Sequence, residues 1–142
     1  MQKGFTLFIA IVITATLLLV STGIISVAVK EAFLTSSARE SQHAFYAADT
    51  GIECAIYWDI KNENGISSFA TTSPNQTIAC AGQTIPGMGG PKPPVFTITL
   101  TPDPYCAVVT VTKIGYNTRI ESLGYNTCDP TNPRRVERAV RV

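Results

Sequence analysis

The polar and apolar positions fall into three regimes along the chain. In the first, "FTLFIAIVITATLLLVSTGIISVAV", residues 5–29, no side chain carries a charge. As a helix this run extends roughly 37 Å, against a bilayer hydrocarbon core of roughly 30 Å. In the second regime, residues 30–61, polar and apolar side chains alternate at helical spacing. Phe45, Ala48, Ile52, Ala55, Ile56 and Ile60 fall at three- and four-residue steps, and Glu40, Asp49, Glu53 and Lys61 lie mostly off that stripe. Asn62-Glu63-Asn64-Gly65 is a stop signal. One helix is therefore expected from about Thr6 to about Lys61, loosened at Gly23.

The third regime has strand character. Residues 62–77 are polar and rich in turn formers, a loop; "TIACA" (77–81) reads as a short strand; "PGMGGPKPP" (86–94) excludes helix and central strand and reads as a connector or binding loop. Then "VFTITL" (95–100) alternates, "AVVTVTKI" (107–114) is β-branched, "TRIESLGY" (118–125) follows a turn at 115–117, and "RRVERAVRV" (134–142) alternates again. Strands joined by short turns predict an antiparallel meander of about four. Its inner face would cover the helix stripe, which makes the fold α+β: a long N-terminal helix against one small sheet.

Length changes little in this picture: 142 residues allow one modest core once the apolar start is set aside. The formal net charge of +1 makes no compositional case for nucleic acid. Residues 130–142 hold Arg134, Arg135, Arg138 and Arg141 against Glu137. They read either as a partner surface, DNA included, or as a final strand with solvated arginines on one face. Cys54, Cys80, Cys106 and Cys128 contain no CxxC spacing and all follow the apolar run, which suits two disulfides in an oxidising compartment. A hairpin turning near Tyr116 brings Cys106 and Cys128 together at its open end. That leaves Cys54 with Cys80, so the expected bridges are Cys54–Cys80 and Cys106–Cys128.

The sequence carries no constellation for catalysis, cofactor binding or metal binding. His43 is the single histidine and reads as a solvated or interfacial helix residue. There is no HExxH, no GxSxG and no alternating carboxylate run for calcium, and Gly-Met-Gly-Gly lacks the following Lys-Ser/Thr of a phosphate loop. Asp103 between Pro102 and Pro104 reads as a turn, and Tyr46, Tyr57 and Trp58 read as helix–sheet packing. Asn75-Gln76-Thr77 fits a glycosylation sequon by pattern. The chain reads as a part of an assembly, not an enzyme.

The opening "KGFTLF" directly before a spanning run resembles the class III signal of type IV prepilins. That resemblance implies cleavage after Gly4 by a prepilin peptidase and N-methylation of Phe5. The implied organisation is a leader (1–4), a transmembrane stem (5–29), the amphipathic half of the helix (30–61) and a sheet domain (62–142). Implied partners are other pilin subunits through the N-terminal helix, the peptidase and an inner-membrane assembly platform. The implied path is from a single pass of the inner membrane to an extracellular filament. Major pilins and most pseudopilins carry glutamate at the fifth mature residue, and here that position is Ile9. "ESQHAFYAADTGIECA" is similar to the region after the stem in PilX-like proteins. Together these imply a PilX-like minor pilin or minor pseudopilin with a role in assembly, adhesion, aggregation, DNA uptake or secretion. A cleaved secretory signal ending near Ser26-Val27-Ala28 and a permanent single-span anchor are the alternatives. Both would leave an exported, disulfide-stabilised binding domain.

Overall fold

The computed structural model describes residues 3–61, 65–101, 104–115 and 117–142. Met1 and Gln2 of the expected leader, the Asn62–Asn64 stop, the Asp103 turn and Tyr116 lie outside the described residues. Helix α1 runs Lys3–Ile60, 58 residues, and the Lys61 amide still donates to the Tyr57 carbonyl (2.8 Å). The helix is unbroken at Gly23, so the expected loosening is absent. Contacts divide the chain into residues 1–38 and residues 39–142.

In the first unit every apolar side chain of the uncharged run is exposed. Its polar atoms are handled locally. Thr14 donates to the carbonyls of Ala10 and Ile11, Thr16 to Ile13, Ser21 to Leu17, Thr22 to Leu19 and Ser26 to Gly23. A hydroxyl folded back onto its own helix needs no outside partner, the condition for placing it in an apolar medium.

The second unit packs the C-terminal part of α1 on antiparallel strands. Strands β1 (Gln76–Cys80) and β2 (Gln83–Met88) form a two-stranded sheet; β3 (Val95–Leu100), β4 (Tyr105–Ile114), β5 (Asn117–Tyr125) and β6 (Glu137–Arg141) form a four-stranded meander in sequence order. The expected α+β architecture and meander are present, with the last strand shorter than its sequence pattern. The β1–β2 hairpin is a correction: residues 86–88, read as connector, are strand. Its turn, Ala81-Gly82, has positive φ at both positions (49° and 74°), the two-residue geometry that matches strand twist. Pro86 is compatible because each strand of a two-stranded sheet has a free edge.

The helix–sheet seam is built from small residues. Ala44, Ala47, Ala48, Ile52 and Ala55 are buried, whereas Phe45 and Ile60 are 48% and 77% exposed. Of the expected stripe, Ala48, Ile52 and Ala55 are thus buried and Ile56 packs against the core, while Phe45 and Ile60 at its ends give way to the small residues Ala44 and Ala47. The reason lies on the sheet. Register places Ile98, Ala107 and Gly124 side by side across β3, β4 and β5, so side-chain size falls to nothing at β5. A Cβ on Gly124 would strike the Ala44 carbonyl and Ala48 amide, and would lie 2.9 Å from the Ala48 Cα. One on Gly51 would strike Ser122 Oγ and lie 2.7 Å from Val109 Cγ2. The backbones meet almost directly, and only alanine and glycine fit between them.

The core continues beneath the segment expected as a polar loop. Phe69 there is fully buried and stacks on Phe96 (6.1 Å between centroids) beside Ile78, Met88, Val109 and Val111. Burying side chains of this size is worth about 1.5–3 kcal/mol each.

Candidate assembly surface

The candidate site is a surface, not a cleft. Gly4 and Phe5 lie in the first turn of α1; a Cβ on Gly4 would meet nothing within 4 Å, and Phe5 is 68% exposed. Ile9 follows one turn later, 40% exposed. The segment is long and apolar enough to cross a membrane, and none of its most apolar stretch is buried. A soluble chain rarely leaves so much contiguous apolar surface uncovered.

In residues 39–142, two polar clusters and one covalent link hold α1 and the later loops to the strands. The first centres on Asp59, whose carboxylate accepts hydrogen bonds from Lys113, Ser67 and Thr118 (2.8 Å for Thr118). Burial works to raise this carboxyl, but the three donors and the Lys113 charge outweigh it and hold it below the ordinary carboxylate range. The second is Asn126, buried. Its amide nitrogen donates to Glu40 Oε2 (2.8 Å) and the Arg134 carbonyl (3.1 Å), and its oxygen accepts from the Val136 amide (2.7 Å). The third is the Cys54–Cys80 disulfide, Cα atoms 5.9 Å apart, which ties α1 to the end of β1. Next to it the Trp58 indole donates to the Ala79 carbonyl (3.0 Å).

Cys106 and Cys128 are free thiols, one buried and one exposed, so the second expected bridge is not formed here. The hairpin register pairs Cys106 with Tyr125, one residue from the register assumed, and Cys128 lies beyond the strand in the following loop.

The aromatic residues divide differently from expectation. Trp58 packs on the core, but Tyr46 is mostly and Tyr57 about half exposed, and Lys61 sits over the Tyr57 ring (5.0 Å). His43 stacks on Tyr105 (4.5 Å). Phe45 and Tyr46 join Ser41, Gln42 and Arg138 in an open groove. The arginines do not share one face. Strand β6 begins only at Glu137, and Arg138 and Arg141, three residues apart, point to opposite sides. Arg138 donates to Ser41 Oγ (2.7 Å), Arg141 pairs with Glu121 (3.4 Å), and Arg135 lies over the Tyr125 ring (3.7 Å). Among the described residues no three His, Cys, Asp or Glu side chains cluster to hold a metal.

Sequence reasoning missed Asn126, Asp59 and the Gly51–Gly124 seam. The one signal for the seam is the density of small residues in "HAFYAADTGIECA", the same stretch that carries the family likeness.

Comparison with known proteins adds one match. Residues 3–53 fit the family model described as PilX N-terminal, a little over a third of the chain. No curated protein and no solved structure matches.

Proposed function

We propose that this chain is a minor pilin or minor pseudopilin: a structural subunit anchored by its apolar helix in the inner membrane and then incorporated into a type IV pilus or related filament. The observation that carries the reading is the coincidence of two facts. The segment matching the PilX N-terminal model, residues 3–53, contains the whole uncharged run whose apolar surface is left bare. In this reading bare side chains of residues 5–29 are buried first by lipid and later by the stems of neighbouring subunits. The prepilin peptidase cuts after Gly4 and methylates Phe5, and the membrane assembly platform receives the product.

Ile9 sharpens the proposal. An acid here could pair with the positive N-terminus of a neighbour and offset the cost of both charges in hydrocarbon. Isoleucine supports neither cost nor pairing. The subunit is then one inserted sparsely or at the tip, not the repeating shaft component. The folded unit, with its disulfide and polar clamps, is the exported part.

The test is the intact mass and N-terminal residue of the protein recovered from membrane and sheared-surface fractions. The expected start is N-methyl-Phe5. A start near Val29 would make the helix a disposable secretion signal, and a retained Met1 in the membrane fraction would make it a permanent anchor; either ends the pilin reading.

A further inference from the structure

We propose that Cys106 and Cys128 are a thiol pair closed by disulfide exchange in a fixed order, with exposed Cys128 attacking a disulfide oxidant first and buried Cys106 resolving the product. Three features bring the pair together. Hairpin register sets Cys106 opposite Tyr125. The chain then turns back, and the Cys128 amide donates to the Pro104 carbonyl (2.9 Å), two residues before Cys106. Asn126, bonded to Glu40, Arg134 and Val136, fixes the root of that loop.

Access sets the order. Cys106 is 4% exposed, whereas Cys128 is open to solvent. A disulfide oxidant R–S–S–R′ can approach only Cys128. The Cys128 thiolate forms a mixed disulfide with one oxidant sulfur and releases R′–S⁻. Cys106 then gives up its proton, attacks the Cys128 sulfur and releases R–S⁻. The protein loses two thiol protons and two electrons, and the oxidant becomes two thiols. The buried position also makes Cys106 a poor first attacker. Burial, and then the neighbouring Cys128 thiol, push it up to about 12, with the Arg135 guanidinium acting in the opposite sense. The other ionisable groups at this corner are Tyr125, Glu137 and Asp129; Arg135 also acts on Tyr125 and Asp129. Such a thiol holds less thiolate at neutral pH than an ordinary one, and its higher intrinsic nucleophilicity recovers only part of that loss. Cys106 should therefore react directly more slowly than an ordinary thiol.

Full-length protein in detergent micelles, reduced and then exposed to glutathione disulfide, tests the order. Samples are quenched with N-ethylmaleimide over time and mapped by peptide mass. In the unaltered chain, glutathione should appear transiently on Cys128 and disappear as the Cys106–Cys128 bridge grows. Cys106→Ala should hold a lasting adduct on Cys128, and Cys128→Ser should leave Cys106 unmodified over the same period. Glutathione appearing first on Cys106, a lasting Cys128 adduct without a bridge in the unaltered chain, or bridging of either residue to Cys54 or Cys80 would overturn the proposal. The time course in the unaltered chain decides the matter even where a variant fails to fold.

Discussion

Gly124→Ala is a severe test of the helix–sheet seam, because local propensity points the other way. Alanine is favoured over glycine in a strand by about 0.5–1 kcal/mol, so a position with room would gain stability. Here the new methyl meets backbone on the opposing helix: the Ala44 carbonyl, the Ala48 amide and, at 2.9 Å, the Ala48 Cα. None of these can rotate aside as a side-chain end can. The helix must lift from β5, which loosens the contacts of Ala47, Ala48 and Gly51 together. Overpacking costs about 1–3 kcal/mol and sometimes more, and the rigidity of both walls puts this case at about 3 kcal/mol. For a folded unit of residues 39–142, that corresponds to a Tm lower by roughly 12–24 °C. The assay is thermal unfolding of the full chain in micelles, followed by Trp58 fluorescence or near-UV circular dichroism, since helix content in residues 1–38 would mask the change in the far UV. Gly51→Ala, which meets Val109 and Ser122 side chains, should fall between Gly124→Ala and the unaltered chain. Gly23→Ala, with nothing within 4 Å, should leave Tm in place. A Tm for Gly124→Ala within about 2 °C of the unaltered chain, where about 1 kcal/mol moves Tm by 4–8 °C, would refute the backbone-contact argument.

Three further perturbations probe the polar clusters and the covalent link. Asp59 is held below its unfolded carboxyl value, so the unfolded chain binds more protons in acid. Its contribution is complete above pH of about 4 and lost as pH falls through the folded value; Asp59→Asn should flatten that part of the stability–pH curve and cost about 1–3 kcal/mol at neutral pH, measured by urea unfolding. Replacing both Cys54 and Cys80 with alanine opens a loop of 26 residues and should lower unfolding free energy by about 3.5 kcal/mol; an unchanged urea midpoint would contradict it. Asn126→Ala removes three side-chain bonds from a buried site and should cost about 2–3 kcal/mol, with faster amide exchange across 127–136 and unchanged exchange in β3.

Some elements were legible because one local property decides them. The uncharged run from Phe5 to Val29 could be little other than an apolar helix. β3, β4 and β5 announce themselves by alternation and β-branching, and their short turns fix the order of the meander. The hairpin β1–β2 was hidden because Pro86 and Gly87 break the strand pattern, and only the unpaired edges of a two-stranded sheet make them harmless. The ends of the buried helix face differ from the expected stripe for a related reason. Periodicity weighs large apolar residues, so it took in Phe45 and Ile60 along with the buried Ala48, Ile52 and Ala55, and passed over the small Ala44, Ala47 and Gly51. The demand for smallness comes from β4 and β5: Gly124 lies against Ala44 and Ala48, and Ala107, Val109 and Ser122 lie against Gly51, all 56 or more positions further along the chain. Asp59 and Asn126 were invisible on the same ground: their partners Lys113, Thr118 and Glu40 are separated from them by 54, 59 and 86 residues. The Cys54–Cys80 pair was reached by elimination. Cys106 and Cys128 were placed near each other, but the register was one residue off.

The seam also has a mechanical consequence. Side chains that interdigitate can creep past one another through small rotamer changes, so such a contact yields gradually under load. Where α1 crosses Gly124 there is nothing to creep. Shifting the helix by one residue, about 1.5 Å along its axis with a turn of about 100°, would bring Phe45 and Asp49 to the places where Ala44 and Ala48 now touch Gly124, and neither fits. A pull directed along α1 in the folded unit therefore meets a stepped barrier, like a pawl against a tooth. The helix either keeps its register with the sheet or separates from it.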